Sequence, residues 1–158
     1  MTDLVALAGR LHTELIEIER VVERAERLVR KAHEHGDDDY LDGVALNLHG
    51  FYAGAERLFA TIAREVDGAV PSGPERHRDL LLQMVAPLPG IRPAVIGRAT
   101  MDRLDEYRGF RHVVRSVYTY NLKPSRVRQL MQGLGECLFA LRRDLDAFRT
   151  FLTAAAGE

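Results

Sequence analysis

Apolar residues recur near the start of the chain at Leu4, Leu7, Leu11, Leu15, Ile18, Val22, Ala25 and Val29. Steps of three and four stack side chains on one face of an α-helix, so this spacing predicts a helix from Leu4. It runs out at His33-Glu34-His35-Gly36, where glycine can take the left-handed conformation that closes a helix and the histidines sit near the negative end of the helix dipole. Asp37, Asp38 and Asp39 open the next helix, whose series is Leu41, Val44, Leu48, Tyr52, Ala55, Phe59, Ile62 and Val66, with Gly68 as its stop. Gly50 and Gly54 lie one turn apart inside it. They lower helix propensity but let another backbone approach, which reads as a packing notch.

Ser72-Gly73-Pro74-Glu75 has the form of a helix start, with a serine cap and a glutamate three residues on, for a short helix through about Val85. Pro87, Pro89 and Pro93 break it. A fourth helix is expected from about Thr100 to Tyr118. Lys123-Pro124-Ser125 begins a fifth, carrying Val127, Leu130, Leu134, Cys137, Leu141, Leu145, Phe148 and Leu152. No strand pattern competes. Four longer helices and one short one predict an all-α, up-and-down bundle, and the lack of a long internal repeat argues against a solenoid.

At 158 residues the chain fits one domain, residues 1–158, with a substantial core. A hydrophobic share of 46%, a charged share of 28% and a net charge of −1 exclude the disordered and fibrous classes and supply no long-range attraction to phosphate. Any affinity for nucleic acid must therefore come from a local cluster. The single cysteine, Cys137, excludes an internal disulfide framework, and Met1-Thr2-Asp3 does not open a secretory signal; a cytoplasmic location is expected. No apolar run approaches the roughly 20 residues of a membrane span.

The chemistry concentrates between Tyr107 and Leu122. On a helical wheel Phe110, Val113, Val114 and Val117 share a core arc, while Arg108, Arg111, His112, Arg115, Ser116 and Tyr118 spread over roughly 160° opposite. Guanidinium forks suit phosphate oxygens, and a nearby histidine or tyrosine can handle a proton or stack on a base, an arrangement that suits RNA. The plainer alternative is a solvated face, or arginines paired with Asp102, Asp105 or Glu136 across the bundle.

This segment resembles the signature of the HepT-like branch of the HEPN superfamily, small helical toxins of prokaryotic toxin-antitoxin pairs. Their motif is an arginine, four to six residues, then a histidine, commonly followed by x-Tyr. Arg111 matches the arginine and Tyr118 the tyrosine, but Ser116 stands at the histidine position. Leu46-Asn47-Leu48-His49-Gly50-Phe51-Tyr52, Ser72-Gly73 and His77-Arg78-Asp79-Leu80-Leu81 also resemble such a relative. The resemblance implies a homodimer whose motif helices form a composite, metal-independent endoribonuclease site. It further implies a nucleotidyltransferase-fold antitoxin that in some pairs adds nucleotide to the motif tyrosine, here Tyr118, with Tyr120 close by.

Ser116 changes the chemistry, because an unassisted hydroxyl is far too weak a base to take the ribose 2′-hydroxyl proton. His112, beside Arg111, is the expected substitute, with Arg111 and Arg115 stabilising charge on phosphate. Alternatively the fold is a catalytically silent module that binds RNA or a protein through Arg108, Arg111 and Arg115. His33-Glu34-His35 with the following aspartates reads as a helix junction rather than a metal site. His49 and His12 read as hydrogen-bonded boundary residues, His77 has no assigned role, and Cys137 reads as core. No Walker loop, dinucleotide fingerprint or zinc-ligand pair occurs, so no metal or cofactor is expected.

Overall fold

The computed structural model describes residues 2–116, 118 and 121–158, and among them there are five α-helices, one π-helical turn and no strand. The helices are α1 (Leu4–His35), α2 (Tyr40–Ile62), α3 (Arg76–Val85), α4 (Arg98–Ser116) and α5 (Pro124–Ala156). This is the expected all-α bundle.

Local chemistry explains both ends of α1. Asp3 Oδ1 accepts from the amides of Val5 and Ala6 at 3.0 and 3.1 Å, satisfying donors that have no partner inside the helix. At the other end Gly36 takes φ 59°, and the Asp37 amide reaches back to the Ala32 carbonyl at 3.1 Å. Between them Leu7, Leu11, Leu15, Ile18, Val22 and Ala25 are buried. The predicted apolar faces of α2 and α5 are buried in the same way, from Leu41 to Ile62 and from Val127 to Leu152.

Gly54 lies against Ile18, Gly50 against Val21 and Gly43 against Leu28, so contacts descend α1 as they climb α2 and the two helices are antiparallel. Arg142 pairs with Glu19 and Arg149 donates to the Ala8 carbonyl, which sets α5 antiparallel to α1. Tyr107 Oη donates to the Leu130 carbonyl and Arg103 pairs with Glu136, setting α4 antiparallel to α5. The order is therefore up and down, with α3 lying across α2 and α4. No helix among the described residues is long and apolar enough to cross a membrane.

Three local expectations are corrected. Ser72 does not cap α3: Gly73 takes φ 96°, the Arg76 amide turns back to the Gly73 carbonyl, and the helix begins only at Arg76. The start of α4 at Arg98 is earlier than expected because Asp144, from α5, accepts from the Gly97 amide at 2.9 Å and the Thr100 hydroxyl at 2.6 Å. A carboxylate from a distant helix thus does the work of a local cap. Val113 is 42% exposed rather than core, because the seam of α4 runs through Met101, Leu104, Tyr107 and Phe110, all buried, with Val114 packed at its edge. Val117, the other member of that arc, lies outside the described residues.

The proline-rich link between α3 and α4 is held by a buried ion pair. Arg92 Nε and Nη2 donate to Asp67 Oδ1 and Oδ2 at 2.6 and 2.8 Å, and its remaining donors reach the carbonyls of Gln83, Ala86 and Pro93. Asp67 ends the π-helical turn Ala63–Asp67 that extends α2, and Gly68 closes that turn at φ 75°, where the sequence places the stop.

Candidate functional site

The basic face of α4 and the start of α3 enclose an open groove of about 510 Å³, lined by Pro74, Glu75, His77, Arg108, Arg111, His112 and Arg115. Helical spacing sets its floor. Arg108, Arg111, His112 and Arg115 recur at steps of three and four, so their side chains leave the same side of α4. The late start of α3 places His77 in its first turn, facing them.

His77 is the centre of the site. Its Nδ1 lies 2.8 Å from both carboxylate oxygens of Glu56 on α2, and its Nε2 lies 3.0 Å from Arg111 Nη1. A guanidinium only donates, so Nε2 accepts from Arg111, and Nδ1–H donates to Glu56. The chain Glu56, His77, Arg111 therefore joins α2, α3 and α4 around a neutral imidazole, with the side chains of His77 and Glu56 20% and 22% exposed.

The arginines divide into two kinds. Arg108 Nε donates to Asp105 Oδ1 at 2.6 Å, and that hydrogen bond holds its guanidinium still more firmly protonated. Asp105 thus pairs with Arg108 within α4, three residues apart, rather than across the bundle. Asp102 and Glu136, by contrast, pair with Arg98 and Arg103, away from the groove. Among the described residues no carboxylate forms an ion pair with Arg111 or Arg115. These two forks have donors directed at the groove, the arrangement that suits a phosphate oxygen.

His49 approaches from below, on α2. Its Nε2 is buried and finds no hydrogen-bond partner among the described residues, so it is not the satisfied boundary residue the sequence suggests. Burial, then the charges of Arg111 and Arg115, hold its pKa below the ordinary histidine value, with Glu56 opposing. Tyr52, buried one turn before Glu56, has its phenol pKa pushed up, chiefly by burial and then by the Glu56 charge. His49, Tyr52 and Glu56 thus form a partly buried base beneath the basic rim.

The structure brings together four of the residues singled out in the sequence: Arg108, Arg111, His112 and Arg115. His112 is on the exposed side of α4. Ser116 is the last residue of that helix, and Tyr118, just beyond, is 73% exposed. Tyr120, the alternative modification position, lies outside the described residues. Glu56 was missed by sequence reasoning, although its place seven residues after His49, on the same face of α2, was a usable signal.

Away from the groove, His35 stacks on Tyr40 with ring centroids 5.6 Å apart, and Asp38 pairs with Arg128, as befits a helix junction. Among the described residues no group of three or more histidine, cysteine or acidic side chains is arranged to hold a metal ion.

The sequence model of the family described as HepT-like protein matches residues 43–152, more than half of the chain and every element that builds the groove. No curated protein and no solved structure matches.

Proposed function

The chain belongs to the HepT-like family of helical HEPN proteins, and from that premise we propose that it is the toxin-type member of a toxin-antitoxin pair, acting on RNA by metal-independent cleavage in the α3–α4 groove. The observation that carries this reading is the groove itself, where Arg111 and Arg115 present guanidinium forks beside the imidazoles of His77 and His112. Arg111 and Arg115 grip the phosphate and stabilise the charge that develops on it, Arg108 adds to the positive rim, and His112 carries a proton at the reacting centre.

In this proposal two copies of the chain pair so that their α4 helices build one composite site, and a nucleotidyltransferase-fold antitoxin silences it by adding nucleotide to Tyr118. The 73% exposure of Tyr118 suits such a modification. Light scattering at tens of micromolar tests the pairing, since a standard-size apolar interface persists at that concentration. A strict monomer counts against a composite site.

The deciding experiment is incubation of a labelled tRNA and an unstructured RNA with the purified protein in EDTA, beside Arg111→Ala. Shortening by the parent and its loss in the variant support cleavage. The second reading, a silent binding module, draws on Ser116 at the position where the family motif has histidine. Binding without shortening, in a sample whose intact mass shows Tyr118 unmodified, decides for it.

A further inference from the structure

We propose that His77, oriented by Glu56, is the general base of this site, so that the imidazole absent from position 116 is supplied by α3 rather than by the motif helix. The inference rests on the RNA-cleaving reading above and assigns its chemistry differently, leaving His112 to return a proton to the leaving group.

Geometry carries the assignment. A base for the ribose 2′-hydroxyl needs an unprotonated ring nitrogen facing the substrate and a partner that fixes the tautomer and accommodates the positive charge it acquires. Glu56, 2.8 Å from Nδ1 through both oxygens, does the second and leaves the lone pair on Nε2. Nε2 faces the groove beside Arg111 Nη1, at 3.0 Å. The reacting 2′-oxygen and the phosphate are neighbours on one ribose, so the proton acceptor and the phosphate fork must also be neighbours. His77 and Arg111 satisfy that requirement across two helices. His49 does not, because its Nε2 is buried.

Arg111 also serves as a guard. Without substrate it donates to Nε2; a phosphate oxygen, being anionic, attracts the same donor more strongly than a neutral imidazole does. Substrate binding then frees the lone pair where it is needed. In the step itself the 2′-hydroxyl proton passes to His77 Nε2, the 2′-oxygen forms a bond to phosphorus, and the bond from phosphorus to the 5′-oxygen breaks. The leaving 5′-oxygen takes a proton from His112. The products are a 2′,3′-cyclic phosphate and a 5′-hydroxyl, with no change of oxidation state. The charged and titratable groups facing His77 are Glu56 from α2, Glu75 from the preceding turn, and Arg108, Arg111, His112 and Arg115 from α4.

The test compares the full-length parent with His77→Gln, Glu56→Gln and His112→Gln in EDTA. Two substrates are used: a short RNA, and a ribonucleoside 3′-phosphate ester with a nitrophenol leaving group, which needs no acid to depart. Binding is read separately by anisotropy with an oligonucleotide carrying 2′-deoxyribose at the scissile position. Glutamine at position 77 keeps an oxygen able to accept from Arg111, so His77→Gln retains binding while kcat drops about a hundredfold or more on both substrates, and the acid limb of the pH profile disappears. His112→Gln loses activity on RNA and regains it on the activated ester. Glu56→Gln, which preserves side-chain volume, lowers kcat in the same direction and carries the test if His77→Gln does not fold by circular dichroism. A parent that cuts while His77→Gln cuts equally well overturns this inference and leaves the RNA reading intact. Weakened binding with unchanged kcat in His77→Gln also overturns it, making His77 only a positioner of Arg111. A parent whose intact mass shows Tyr118 unmodified and that leaves RNA whole overturns both.

Discussion

Arg92 and Asp67 form a fully desolvated, two-bond ion pair, their side chains 0% and 2% exposed, between the link that precedes α4 and the π-helical turn that follows α2. Gln83 of α3 donates to the same carboxylate at 2.8 Å. One charged cluster thus joins the three segments whose relative placement shapes the groove.

Removing one member strands the other in a dry interior. Arg92→Met is expected to lower stability by about 3–5 kcal/mol, measured by urea unfolding with circular dichroism. Asp67→Leu combined with Arg92→Met should recover a substantial part of that loss. A double variant as unstable as the sum of the single ones would show the two residues acting independently.

The two glycines of the expected notch separate. A Cβ at Gly54 would meet Ile18 Cγ1 at 2.8 Å, whereas one at Gly50 would meet Val21 Cγ1 at an ordinary 3.6 Å. Gly54→Ala should therefore destabilise by about 1–3 kcal/mol through overpacking, despite its gain in helix propensity. Gly50→Ala should be neutral or stabilising by up to about 1 kcal/mol. Thermal melts of the two variants in parallel check the contrast.

His49 is held below its ordinary pKa by burial and then by Arg111 and Arg115, so its neutral form is favoured in the fold. As pH falls below the ordinary histidine value the unfolded chain takes up this proton first, and stability declines. NMR titration should show the His49 pKa rising in Arg111→Ala, because one repelling cation is gone. An unchanged titration would mean that the Arg111 charge does not act on His49.

Burial pushes the Cys137 thiol from 9.0 up to about 12. The native protein should resist a thiol-reactive disulfide at mildly alkaline pH and react on unfolding. Above pH 9 the unfolded chain ionises this thiol first, so its contribution to stability is lost as pH rises toward about 12. Cys137→Ala should flatten that alkaline decline.

Apolar periodicity determined α1, α2 and α5 and most of their buried faces, because a repeat of 3.6 residues leaves each core position one turn from the next along the chain. By contrast, α3 and α4 were legible mainly through the prolines and glycines that flank them. Gly36 and Gly68 were legible as stops for the same local reason, since a left-handed closure needs only its own glycine. The basic side of α4 was legible too, as four residues on one face of one helix.

Only the tertiary structure decided what depends on distant partners. The carboxylate that caps α4 comes from Asp144, the burial of Arg92 depends on Asp67, and the exposure of Val113 follows from which neighbours α4 meets. The Glu56 and His77 pair belongs to this class as well: 21 residues and a helix boundary separate its members, and a 2.8 Å contact exists only once α2 and α3 have packed. A sequence states how each helix is patterned, but hydrogen bonds between helices depend on their mutual rotation and offset, which the packing of the whole core sets.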